Sequence, residues 1–333
     1  MDLFTHVLFA YLLSFIIWGP AAPQYIAAGA LAGGLPDADI LLFPLSRRFP
    51  SLEHRGIVHS VLGVTIIAAV GAFLVPYLPY FVPASTLLYF VAMEIGGLSH
   101  LVLDGFTNYA VTPLAPFSRR ILRLDADNAV NITTLGMTAV AFGVLIYEHN
   151  RVPLDAWTTT VWILIAVYAG YLLVRVLARR RARLVAAQEG FRAVEPTDSP
   201  WTWLMVDQDD SPEQYRIRIR TLNFVSRRSS KEQSMSVAKV PAATGPVSSV
   251  QAALDRTYLP AVEKSQWLRY NYHFGEAIEK ENAFEVFWYI VHGDRSRRAF
   301  GVHGVIDRDT GAIQLRSGFF RLPQSASSQS ASG

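Results

Sequence analysis

The chain of 333 residues contains no cysteine, which excludes disulfides, thiolate nucleophiles and every zinc site with sulfur ligands. Any metal must be held by His, Asp, Glu or Asn. Charge is scarce in the first half: of the 57 charged residues only 17 fall in positions 1–174, whereas an ordinary soluble surface is roughly a quarter charged. That half reads as membrane, and the gradient places a boundary near Arg175. A formal net charge of +3 is too small to point to nucleic acid, and no specific nucleic-acid binding is expected.

Apolar stretches recur at about Leu3–Trp18, Gln24–Gly34, Ile57–Tyr77, Ala84–Leu103, Val130–Tyr147 and Ala156–Leu177. Four approach or exceed the roughly 20 residues that cross a bilayer core. The second is short, rich in small residues and stopped by Pro36, as suits a helix tucked against its neighbours. Asp2 and His6 do not fit the basic start of a cleaved secretory signal. The expected architecture is a polytopic α-helical membrane domain of about six helices over residues 1–180, then a small β-rich α+β cytosolic domain over 190–322 and a disordered tail over 323–333.

Cytoplasmic loops accumulate arginine. With six crossings, one side collects Arg47, Arg48, Arg55, Arg119, Arg120, Arg123, Arg175, Arg179, Arg180, Arg181 and Arg183, while the opposite loops hold only Arg151. The expectation is a multi-pass protein of the inner or plasma membrane with both termini cytoplasmic and the bilayer as its first partner.

Ionisable residues near apolar segments are costly and point to function. His6 opens the first segment, Asp37 and Asp39 follow the second, His54 and His59 open the third, and His100 and Asp104 close the fourth. Alternating crossings bring all seven to the cytoplasmic level. His100 and Asp104, four apart, share a helix face and can share an ion. Singly, the Asp pair reads as a solvated turn or cap and the His100/Asp104 pair as a structural hydrogen bond; together the seven read as a divalent-metal site of N and O ligands, with Zn the leading candidate. Glu94, inside the fourth segment, is a candidate catalytic carboxylate or a helix-to-helix bond, and Asp39 a candidate catalytic base. Asp125 and Asp127 read as a solvated turn and cap.

The run Thr5-His6, Pro36-Asp37-Ala38-Asp39, His54-Arg55-Gly56-Ile57-Val58-His59-Ser60, Ser99-His100 with Asp104, and Pro116-Phe117-Ser118 resembles the YdjM family, described as LexA-binding, inner-membrane-associated, metal-dependent hydrolases. The resemblance covers roughly residues 1–180 and implies a metal-dependent hydrolase with those His and Asp residues as ligands. A more distant similarity of the family to zinc-dependent phospholipase C and P1-type nucleases suggests a phosphoester or lipid-like, amphiphilic substrate. Asn108–Pro113 departs from the Gly-containing turn the family pattern suggests.

Beyond Arg183 the pattern alternates. Tyr215–Arg220 puts Arg216, Arg218 and Arg220 on one strand face. Further strands are expected at Trp201–Val206, Trp267–His273, Phe284–His292, Ala299–Ile306 and Ala312–Arg316, with a hairpin turn at Asp307–Gly311. Ser226–Lys264 reads as a polar excursion with a short helix at Val247–Arg256, and His273, His292 and His303 as ordinary core or surface residues. The leading expectation is a membrane metal-dependent hydrolase with its site at the cytoplasmic face. The alternative is a membrane-anchored interaction protein that binds a protein regulator, with a structural metal or none. A transporter ranks third, because no repeat is apparent.

Overall fold

The first apolar run starts where its polar residues dictate. In the computed structural model the Asp2 carboxylate accepts the Thr5 N–H at 3.0 Å, opening α1 (Leu3–Trp18), which stops at Gly19 with a φ of 68°. Pro23 begins α2 (Pro23–Gly34), and a 3₁₀ segment, Pro36–Leu42, follows. The Ser60 hydroxyl accepts from Gly63 N–H at 3.1 Å to cap α3 (Val61–Leu74). Helix α4 is Thr86–Gly105, α5 (Ile132–His149) is capped by Asn131, and α6 is Thr158–Gln188. The structure describes residues 1–42, 57–79, 81–108, 111–118, 120–225, 229–240, 245–264, 268, 273–290 and 298–321. His54, His292, Arg47, Arg48, Arg55, Arg119 and the 323–333 tail lie outside them. The chain divides into two units, Met1–Arg181 with Pro196–Pro200, and Ala182–Glu195 with Trp201–Gly333.

Among the described residues, three segments are long and apolar enough to cross a membrane: Thr86–Gly105, Ile132–His149 and Leu154–Gln188. Six crossings are therefore not supported. Leu3–Trp18 and Val61–Tyr77 are shorter apolar helices. The 12 residues of α2 rise about 18 Å, against a hydrocarbon core of roughly 30 Å. The small residues of α2 serve packing instead: a Cβ on Gly96 would lie 2.0 Å from the Gly29 carbonyl oxygen, so α2 and α4 meet backbone to backbone. One apolar core joins α1, α2, α5 and α6 through Leu12, Phe15, Ile26, Leu145 and Tyr168, and another joins α2, α3 and α4 through Ala28, Ala68, Tyr89 and Met93. Trp162, Ile163, Val167 and Leu173 face outward on α6, an apolar surface suited to lipid.

Two sequence-based expectations fail in the loop before α5. Asp127 is buried rather than solvated; it accepts from Tyr171 Oη at 3.0 Å and from the Asn131 amide, and pairs with Arg175 at 3.2 Å. Arg175 is equally buried and donates to the carbonyls of Ala126, Ser199 and Thr197 at 2.8, 3.0 and 3.2 Å. An arginine on an apolar helix must be paired, so Arg175 does not belong with the solvated loop arginines.

The second unit holds two four-stranded antiparallel sheets. The first orders β1 (Ala193–Pro196), β2 (Thr202–Asp210), β3 (Gln214–Asn223) and β4 (Gln233–Ala238), and the second β5 (His273–Glu279), β6 (Ala283–Ile290), β7 (Arg298–Asp307) and β8 (Ile313–Arg321). Alternation on β3 buries Tyr215, Ile217 and Ile219 and leaves Arg216 exposed. Arg218 pairs with Asp207 at 2.8 Å and Arg220 with Glu189 at 2.8 Å. The expected polar excursion instead contains β4, whose Met235 and Val237 are buried, and helix α7 (Val250–Lys264), longer than the helix expected there. Trp288 Nε1 donates to Thr257 Oγ1 of α7 at 3.0 Å within the core. Strand β5 starts at His273, where the alternation had suggested an end. His273 is buried and stacks on Tyr215 at 4.4 Å, and His303 meets Glu285 at 2.9 Å.

Candidate metal centre

Six of the seven residues expected to ligate metal converge; the seventh, His54, lies outside the described residues. His6 comes from the first turn of α1, Asp37 and Asp39 from the 3₁₀ segment after α2, His59 from the turn before α3, and His100 and Asp104 from successive turns at the end of α4. Alternating helix directions bring these starts and ends to one level.

The separations are those of ligands around an ion. His59 Nε2 lies 3.5 Å from Asp37 Oδ1 and 3.8 Å from Asp104 Oδ2, and His100 Nε2 lies 3.7 and 3.6 Å from the same two oxygens. With metal–ligand bonds of about 2.0–2.2 Å, two ligands on a tetrahedral ion sit roughly 3.4 Å apart. Four pairs among two nitrogens and two oxygens thus approach that edge length. His6 Nε2 is 3.2 Å from Asp104 Oδ1, to which the Met1 amino group also pairs. The His6, His59, His100, Asp39 and Asp104 side chains are fully buried, and Asp37 is 15% exposed.

Backbone and side-chain partners aim the imidazoles. Gly33 packs on α1 where a Cβ would fall 2.4 Å from the Ala10 Cβ, and this approach lets its carbonyl accept from His100 Nδ1 at 2.8 Å. The proton is therefore on Nδ1 and the lone pair on Nε2, which is buried without a hydrogen-bond partner among the described residues. Asp39 Oδ2 sits 3.1 Å from His59 Nδ1 and turns His59 Nε2 toward Asp37 and Asp104. Sequence reasoning did not find the Gly33 carbonyl; the only signal for it was the small-residue run itself.

Imidazoles and carboxylates shift one another. Burial raises the Asp37 carboxyl, but the hydrogen bond from His59 and the neighbouring imidazole rings outweigh it and hold it at about 2. Burial lowers the His59 imidazole, and its bonds to Asp37 and Asp39 reverse this and raise it. Among the described residues, the carboxylates of Asp37, Asp39 and Asp104 gather with the imidazoles of His6, His59 and His100. A hard or borderline divalent ion with N and O ligands fits this donor set.

Glu94 is elsewhere. It precedes Asp104 by ten residues on α4, about 15 Å along the axis, and its Oε1 accepts from Thr65 Oγ1 of α3 at 2.9 Å.

Apolar helices that bury a convergent His/Asp donor set define a membrane protein with a candidate metal centre. Residues 1–182 match the family described as YdjM inner membrane protein, and the chain belongs to that family. No curated protein and no solved structure matches the chain.

Proposed function

We propose that the protein is an integral-membrane, metal-dependent hydrolase with its centre at the cytoplasmic face of the inner membrane, acting on a phosphoester in an amphiphilic substrate. The observation that carries this is the set of His59, His100, Asp37 and Asp104 donors at ligand separations, with His100 Nε2 buried and available. A divalent ion held by donors of this set would supply an activated water near neutral pH where it keeps an open position. Asp39 and the Gly33 carbonyl keep His59 and His100 in the ligating tautomer and raise their basicity.

Features around the centre support the substrate and the orientation. The segment after α4 exposes Phe117 (84%), Leu114 and Ile121 beside Arg120, and Leu124 N–H returns to the Gly105 carbonyl at 2.8 Å, one residue from Asp104. An exposed apolar and basic segment suits an anionic amphiphile whose tail stays in the bilayer. The start of α1 contributes His6 to the centre, and Arg175 on α6 bonds the loop that follows α4; with the arginine bias of the sequence, this supports a cytoplasmic placement of the centre.

One observation favours a second reading. Four candidate protein donors gather there, His59, His100, Asp37 and Asp104; an ion closed off by protein ligands alone is what structural zinc sites hold, which fits a membrane-anchored interaction protein whose β-rich unit binds a regulator. Metal analysis of wild type and His100→Ala, paired with a hydrolysis screen on phosphoesters, esters and amides, separates the two. Metal-dependent turnover that His100→Ala abolishes is expected; bound metal with no turnover on any class would leave the second reading standing.

A further inference from the structure

We propose that the centre holds two adjacent cations bridged by Asp104, one among Asp37, His59, His100 and Asp104 Oδ2, the other between His6 and Asp104 Oδ1. This rests on the metal-binding part of the reading above and is independent of hydrolysis. Two groups of three have donor atoms within 4.8 Å of one another: His6, His100 and Asp104, and Asp37, His59 and His100. His100 belongs to both, yet its Nδ1 is committed to the Gly33 carbonyl, and one nitrogen ligates one ion. Asp104 resolves the conflict by dividing its oxygens. Oδ2 faces His100 and His59 at 3.6 and 3.8 Å, while Oδ1 faces His6 at 3.2 Å.

Ring geometry separates His6 from the four-ligand position. The His6 and His100 rings stack at 3.7 Å with 21° between planes, and nearly parallel imidazoles direct their lone pairs side by side rather than at one point. The His6 ring is fully buried, and its Nδ1 has no hydrogen-bond partner among the described residues. The two positions differ in kind. Among the described residues the first has four candidate protein donors and the second two, which leaves room for water and a substrate oxygen, the division of labour expected of a two-metal centre.

The test uses the full chain in detergent, stripped by chelator, reloaded with Mn²⁺ and desalted. Two Mn per chain and an exchange-coupled electron paramagnetic resonance signal are expected. His6→Gln should keep one Mn and give an isolated-ion spectrum. One Mn per chain in wild type, two Mn without coupling, or a His6→Gln protein that retains the coupled pair would overturn the proposal. Should His6→Gln fail to fold, the wild-type stoichiometry and spectrum decide it. Coupled Mn without hydrolysis would defeat the proposed function alone, and hydrolysis with a single ion would defeat this inference alone.

Discussion

The helical unit buries two polar clusters, and they are built on opposite terms. Around Asp127, one carboxylate meets Arg175, Asn131 and Tyr171, and the Arg175 guanidinium also satisfies three carbonyls. Around Asp104, three carboxylates meet three imidazoles and one amino group. The first cluster balances its own charge and ties the loop before α5 and residues Pro196–Pro200 to α6. The second gathers nitrogen and oxygen donors of the kind that can hold a divalent ion. Burial and residue type alone do not distinguish them; the identity of the cation does.

That contrast predicts different responses to substitution. The largest effect is expected at Arg175: Arg175→Met leaves Asp127 buried without its cation and should cost about 3–5 kcal/mol, read as a lower thermal unfolding midpoint in detergent, with metal content per folded chain unchanged. Loss of metal in a folded Arg175→Met protein would merge the two clusters into one. Next is Asp39→Asn, which keeps the shape but weakens the hold on His59 Nδ1 and should lower metal affinity by roughly 10–100-fold, measured by competition with a chelating dye; unchanged affinity would remove Asp39 from the centre. Gly33→Ala should then cost roughly 1–3 kcal/mol by forcing α1 and α2 apart, and should weaken metal binding as the His100 Nδ1 bond lengthens. A stability loss with unaltered binding would show that the carbonyl does not aim His100.

The smallest effect lies outside both clusters. Hydrogen bonds from the Thr310 hydroxyl and N–H hold the exposed Asp307 carboxyl below its ordinary range. A depressed carboxylate adds stability above its unfolded pKa, near 4, and loses it as pH falls through the lower folded value. Unfolding scans from pH 7 to pH 3 should show this slope in wild type and a flatter one in Asp307→Asn. Equal slopes would contradict it.

Much of the centre was legible because its ligands stand at the ends of apolar runs, where a titratable residue has few other uses. His6, Asp37, Asp39, His59, His100 and Asp104 meet for that reason. The number of crossings was less legible, since hydropathy scores α2 as apolar, whereas its glycines make it a spacer between α1 and α4. Arg175 and Asp127 were misplaced because a lone arginine and an Asp-rich loop look solvated until the partner 48 positions away in sequence is known. In the second unit, β4 hid in a Ser-rich stretch whose Met235 and Val237 alternate too briefly to stand out.

The central claim is that the His/Asp cluster is completed by a divalent metal. Elemental analysis of the full chain, purified in detergent from metal-replete cells beside an equally folded His100→Ala variant, tests it most directly. The account predicts at least one divalent ion per wild-type chain and its loss in the variant. Wild type with no bound divalent ion, or a variant that keeps the wild-type content, would contradict it.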